Sequence, residues 1–353
     1  MRICRLMHTE CEDSVLQEAG ELLRNGKLVV FPTETVYGLG ANALDTIAIK
    51  KIFEAKGRPS DNPLIAHIDG LAMLDMLVAD IGNVERKLMN AFWPGPLTII
   101  FDKLNKVPPA LTGGTNKIAI RMPSNVIAKK LIAYANVPIA APSANKSGKP
   151  SGTVINDIYD ELKNDVVLFL DAGRSQIGVE STVVKVENGV PIVLRPGGIT
   201  PDNIADVIGC VKLDKSIFDK IDANAPVLSP GMKYRHYAPD CDCVLVDGNS
   251  NESKASKVVN IIKQHNPDKI VVICTNENVK IYLQHPNVEV LSMGDACNFK
   301  EVSQNLYSLL RNAETFNPKL VIMESVRKEG LGLALMNRMI RACGYNVVDS
   351  SEH

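Results

Sequence analysis

Apolar residues recur at helical spacing over 13–25, where Leu16, Ala19, Leu22 and Leu23 share one face and Asn25-Gly26 supplies a stop. Residues 27–31 then read as a short apolar strand, broken by Pro32. The segment 43–55 reads as helical and 64–68 as a strand. Residues 70–91 hold one or two helices before Trp93-Pro94-Gly95-Pro96. Apolar runs at 97–101, 118–121, 137–140, 166–171, 181–186 and 192–195 read as strands, with helices near 124–135 and 201–209. Strands and helices are interspersed without strict alternation, which predicts a mixed α/β sheet.

After Cys210 the pattern loosens. The stretch Ala225-Pro226-Val227-Leu228-Ser229-Pro230-Gly231 reads as part of a linker. Beyond it the alternation is cleaner: strands at 243–246, 269–274, 288–291 and 320–323, and helices at 251–265, 276–283, 299–313 and 332–343. Four βα units in succession predict a small Rossmann-like domain. The expected division is a first domain at 1–212, a linker at 213–240 and a second domain at 241–353.

A chain of 353 residues is long enough for two domains with their own cores. A net charge of -1 provides no global attraction to nucleic acid or to an anionic membrane, though a local basic cleft stays open. The eight cysteines are scattered and form no framework of a small secreted domain, so a reducing, cytoplasmic setting is expected. Cys241 and Cys243 are close together on a strand, but no second C-x-C and no nearby histidine completes a four-ligand site. No protein-held metal is therefore expected. Residues 1–10 lack the apolar core of a signal peptide, and no apolar run reaches the roughly 20 residues that cross a bilayer, so no membrane association is expected.

Three distant segments mix cations with hydroxyl and amide side chains: Lys56-Gly57-Arg58-Pro59-Ser60-Asp61-Asn62-Pro63, Ala141-Pro142-Ser143-Ala144-Asn145-Lys146-Ser147-Gly148, and Gly178-Val179-Glu180-Ser181-Thr182. Fixed charge, short donors and close main-chain approach are what a phosphate needs. Any one of them is an ordinary loop, and Lys56 at a helix end equally offsets the helix dipole. Together they read as walls of one anion-binding cleft. Pro32-Thr33-Glu34-Thr35-Val36-Tyr37-Gly38-Leu39-Gly40 follows a buried strand. It reads either as a strand-end turn or as a pocket lip with hydroxyls at Thr33, Thr35 and Tyr37. His67 on its apolar strand is either a hydrogen-bonded core residue or a donor to a substrate carboxylate. Arg121 ends a strand, either at a solvated edge or in a site. The 143–148 segment does not match G-x-x-x-x-G-K-[ST], so no P-loop reading follows. In the second domain, 324–332 stands where a phosphate turn would be, but a lone G-x-G favours packing.

Taken together, Pro32 to Leu39, the K-x-R of Lys56 and Arg58, and the S-x-N of Ser143 and Asn145 resemble the YrdC/Sua5 family. The stretch Ser229-Pro230-Gly231-Met232-Lys233-Tyr234-Arg235-His236-Tyr237-Ala238-Pro239 is similar to the linker of its longer, Sua5-type branch. The resemblance covers essentially the whole chain. It implies an α/β fold: an N-terminal YrdC-like twisted open mixed sheet with a concave basic cleft, plus a smaller C-terminal Rossmann-like Sua5 domain. The implied activity is threonylcarbamoyl-AMP synthesis from L-threonine, bicarbonate or CO2, and ATP, releasing pyrophosphate and serving the t6A modification of tRNA position 37.

Carried over by position, the resemblance implies Thr35, His67, Arg121, Ala141 and Ser181 as the threonine pocket. It implies Arg58, Asn62, Lys117, Ser143, Asn145, Ser151, Arg195 and Tyr237 as nucleotide contacts. Lys56 and Arg58 would be the catalytic cations, with Lys56 facing the reacting phosphate or carboxylate. At Lys117 the family uses a backbone or hydroxyl contact, and a lysine departs from that pattern. Mg²⁺ would come with ATP, without an organic cofactor. The intermediate would pass to a downstream tRNA threonylcarbamoyl transferase, with weak or no direct tRNA binding. Bulky polar residues at 234–237 are expected to lie over the cleft and gate it. The rival readings are an RNA-binding module without catalysis and a carbamoyl-transfer enzyme with another acceptor. With 5% aromatic residues and one tryptophan, the chain is poor in the stacking platforms of the first rival.

Overall fold

Short apolar runs, buried residue after residue, build the large sheet of the first unit. The computed structural model describes residues 2–6, 12–220, 228–229 and 237–351. The chain forms two compact units, one of Met1–Ser147 with Ser151–Tyr234, the other of Gly148–Pro150 with Arg235–His353. Among the described residues, the first unit contains β1 (Arg2–Arg5), β2 (Val29–Phe31), β3 (Gly38–Asn42), β4 (Ile65–His67), β5 (Leu97–Asp102), β6 (Lys117–Arg121), β7 (Ile139–Ala140), β8 (Leu168–Asp171), β9 (Thr182–Glu187), β10 (Val190–Arg195) and β11 (Lys212–Leu213). They lie in the order β1-β8-β2-β3-β7-β4-β6-β5-β9-β10-β11. Parallel and antiparallel pairs mix: β4 runs parallel to β6, whereas β5 runs antiparallel to β6 and parallel to β9.

The helices cover this sheet for reasons visible in their ends. Thr46–Lys56 starts at Asp45, whose side chain accepts from the Ile47 and Ala48 amides, and ends at Gly57 in the left-handed region (φ 59°). Glu12–Arg24 lies so close to Val126–Ala135 that a Cβ on Gly20 would stand 2.7 Å from the Ala135 nitrogen. Both were expected from spacing, within a few residues. The stretch Pro32 to Gly40 reads from sequence as a strand-end turn or a pocket lip, but its last residues belong to a strand, β3, that pairs with β2. Its glycines hid it: a Cβ on Gly40 would stand 2.9 Å from the Phe31 ring, so packing excludes the β-branched residues that mark strands.

In the second unit, β12 (Asp242–Asp247), β13 (Ile270–Cys274), β14 (Val288–Ser292), β15 (Leu320–Glu324) and β16 (Val347–Asp349) form a parallel sheet in the order β14-β13-β15-β12-β16. The helices Asn251–Gln264, Val279–Tyr282, Phe299–Thr315 and Leu331–Ala342 provide the expected crossovers, and β16 adds a fifth strand at the edge. All residues of β13 and β15 are buried, as in a strand covered on both faces. Among the described residues, no helix is long and apolar enough to cross a membrane.

Candidate active site

The turn 33–37 between β2 and β3 is where the distant polar segments converge. The Ile177 amide donates to the Glu34 carbonyl and the Gly178 amide to that of Thr35. The Tyr37 amide donates to the Gly152 carbonyl, and the Ala144 amide to that of Tyr37. Gly38 pairs with Ser143 in an isolated antiparallel bridge. One turn thus ties together the 141–145, 151–153 and 177–182 stretches. The side chain of Thr33 holds its shape, donating to the Val36 carbonyl at 2.6 Å and lying 2.8 Å from the Thr35 hydroxyl.

Arg121, last in β6, is 3% exposed and points into this turn. Its Nη1 donates to Thr35 Oγ1 (2.8 Å), its Nε to the Gly95 carbonyl (3.3 Å), and its Nη2 lies 2.6 Å from Glu34 Oε1. Strand register puts His67 of β4 opposite Arg121 on one side and Thr98 of β5 opposite it on the other. His67 is buried, its Nδ1 3.3 Å from the Ile65 carbonyl. Burial, reinforced by the Arg121 charge, pulls its pKa down to about 3, so the ring is neutral. Burial alone would raise the Glu34 carboxyl, but the Arg121 charge and the hydrogen bonds the carboxylate accepts, that of the Ser124 amide among them, together hold it below the usual carboxylate range. The Thr98 hydroxyl lies 2.7 Å from that of Ser181, which in turn lies 3.2 Å from Arg195 Nη2. Arg195 Nε and Nη2 also clasp the Ser181 carbonyl. The Ala141 amide is bound to Ile65 of β4.

The K-x-R loop meets the S-x-N loop directly. Lys56 is buried, and its ammonium donates to the carbonyls of Ser143 and Asn145. Ser143 donates its hydroxyl to Asn145 Oδ1 at 2.6 Å. Arg58 donates through Nη2 to the Pro63 carbonyl at 3.1 Å. Asn62 is 1% exposed, and among the described residues both its Nδ2 and Oδ1 are buried without a hydrogen-bond partner. Ser151 donates to Glu180 Oε1 at 2.6 Å.

Other residues of the expectation have partners of their own. Tyr37 is no lip hydroxyl: it is fully buried, donates to the Gly173 carbonyl at 2.6 Å and accepts from the Ala172 amide. Lys117 is exposed and pairs with Asp102 across the β5–β6 ladder at 2.8 Å. Tyr237 belongs to the second unit, where its ring stacks on Tyr307 at 5.3 Å and lies beneath the Arg338 guanidinium. Tyr234, Arg235 and His236, on which the gating expectation rests, lie outside the described residues. In the 324–332 turn, a Cβ on Gly332 would overlap the Arg327 carbonyl, so that glycine serves packing. Glu34 was passed over as a site residue. The available signal was an acidic residue inside a threonine-rich turn, in a chain with an arginine at a strand end.

Comparisons with known proteins follow the same outline. Residues 21–197 match the Sua5/YciO/YrdC family model, described as "Telomere recombination", and residues 199–344 match one described as "Threonylcarbamoyl-AMP synthase, C-terminal domain". The chain is 41% identical to a threonylcarbamoyl-AMP synthase of Pyrococcus abyssi, covering 96% of each protein. It is also 41% identical to that of Bacillus subtilis, covering 95% of each. A crystal structure of Pyrococcus abyssi Sua5 complexed with L-threonine superimposes with a TM-score of 0.89, at 39% identity over 99% of both chains.

Proposed function

This chain belongs to the Sua5/YrdC family of threonylcarbamoyl-AMP synthases, and we propose that it joins L-threonine, bicarbonate or CO2, and ATP into threonylcarbamoyl-adenylate and pyrophosphate. The observation that carries this reading is Asn62. A buried amide with both ends unpaired costs about 1–3 kcal/mol per group, and a nucleotide's donors and acceptors would relieve it.

The chemistry needs no protein nucleophile. The threonine amine adds to CO2, the resulting carbamate oxygen attacks the α-phosphorus in line, and the bond to pyrophosphate breaks. Catalysis is then positioning and charge stabilisation. Arg121 would take the amino-acid carboxylate, beside Thr35, neutral His67, Ala141 and Ser181. Arg58, Asn62, Ser143, Asn145, Ser151 and Arg195 would surround the nucleotide. The contact between Ser181 and Arg195 supports adjacent seats for the two substrates. Lys56, bonded to two carbonyls, would act by fixing the S-x-N loop rather than by touching phosphate. Mg²⁺ would accompany ATP and would supply neutralising charge beside its phosphates. The product would feed the t6A modification of tRNA through a downstream transferase. Pyrophosphate release that requires threonine and bicarbonate together is the expected result; release independent of threonine would refute the assignment.

A further inference from the structure

We propose that Glu34 is a positioning residue that sets the orientation of Arg121 for the amino-acid carboxylate, an inference that rests on the synthase reading above. Glu34 is 3% exposed and touches three partners. Its Oε1 meets Arg121 Nη2 at 2.6 Å and accepts the Ser124 amide at 3.1 Å, while Oε2 accepts the Asn125 amide at 3.4 Å. Both oxygens therefore act as acceptors toward N–H groups. A carboxylate meets that demand and an amide does not, because a glutamine would turn a donor toward one of them.

The guanidinium donates through Nε to Gly95 and through Nη1 to Thr35, while its Nη2, which makes no hydrogen bond among the described residues, is held by the charge of Glu34 at 2.6 Å. With its plane fixed, its remaining N–H bonds, those of Nη2 among them, stay available to a ligand carboxylate. The grip is itself anchored. The Glu34 carbonyl is tied to Ile177, the Thr35 carbonyl to Gly178, and the amides bound by Glu34 open the helix Val126–Ala135, which Asn125 caps. Glu34 thus fastens a β-strand end and a helix start to the same turn. Removing only the carboxylate would leave Arg121 buried beside a neutral histidine with no counterion, and the fork would be free to turn toward other acceptors.

The test compares Glu34→Gln and Glu34→Asp with the unaltered protein in steady-state pyrophosphate release, varying threonine and ATP separately. For Glu34→Gln, kcat/KM for threonine is expected to fall at least tenfold while KM for ATP stays within twofold. Glu34→Asp keeps the charge but falls a methylene short of Arg121, so it is expected to be comparably impaired. Full rescue by aspartate would mean that charge alone matters and would overturn the positioning role. So would an unchanged kcat/KM for threonine, or an equal loss toward both substrates, which marks general damage. If the glutamine variant fails to fold, the aspartate variant carries the same comparison. Absence of threonine-dependent release in the unaltered protein would instead defeat the synthase reading itself.

Discussion

The Lys56 ammonium donates to the Ser143 carbonyl at 2.7 Å, joining residues 87 apart in sequence. A second bond runs from the same nitrogen to the Asn145 carbonyl. The cation of the K-x-R motif is thus the brace of the S-x-N motif. Lys56→Ala would take the ammonium donor from both carbonyls, of which Ser143 keeps only the Asn145 amide, and Lys56→Arg would offer a planar fork where a compact donor is needed. The alanine variant is expected to lose about 2–4 kcal/mol of stability in denaturant unfolding and to raise KM for ATP. A variant with unaltered stability would show that the brace carries no weight.

Asn62 predicts the opposite pattern. Its side-chain amide makes no hydrogen bond among the described residues, so Asn62→Leu, similar in size, removes buried polarity that the ligand-free protein does not use. Stability is expected to hold or rise, while KM for ATP increases roughly tenfold, the worth of one lost hydrogen bond of about 1.4 kcal/mol. Thermal melting and ATP titration read the two effects separately. A fall in stability without any change toward ATP would make Asn62 structural.

The fold was legible wherever burial produced a period. The helices Asn251–Gln264 and Phe299–Thr315 and the strands β13 and β15 stand within two residues of their expected places, because long amphipathic and fully apolar runs leave little choice. β3 escaped because its glycines answer to the Phe31 ring rather than to strand propensity. In the site, the cations and hydroxyls were legible as residue types suited to an anion, but their division of labour was not. Nothing local to Lys56 says that it will face backbone carbonyls, and nothing local to Glu34 says that it will meet Arg121. Those are tertiary facts, set by which loops the sheet order brings together.

Tyr37 separates lip from core. Its hydroxyl holds the Ala172-Gly173 turn from a fully buried position. Tyr37→Phe removes the hydroxyl's bonds to the Gly173 carbonyl and the Ala172 amide, and about 1–3 kcal/mol of stability is expected to go with them. KM for threonine is expected to stay within twofold. Calorimetric melting together with threonine kinetics checks both halves, and a selective loss of threonine affinity would return the hydroxyl to the pocket.

His67 gives the protein a pH dependence whose sign follows from burial. In the unfolded chain its imidazole takes up a proton near pH 6.5, whereas in the folded protein it stays neutral down to about 3. Between those values the unfolded state binds the extra proton, so stability falls as pH drops through the window, by up to about 1.4 kcal/mol per pH unit. Glu34 adds a separate contribution at lower pH. Its folded pKa is depressed, so the stability it provides is present above its unfolded pKa and is lost as pH falls through the folded one. His67→Asn removes the first contribution and leaves the second. Denaturant unfolding between pH 6 and pH 4.5 is expected to show a slope shallower than that of the unaltered protein by about one proton. Equal slopes for the two proteins would mean that the folded His67 titrates as an ordinary imidazole, and the neutral ring beside Arg121 would have to be abandoned.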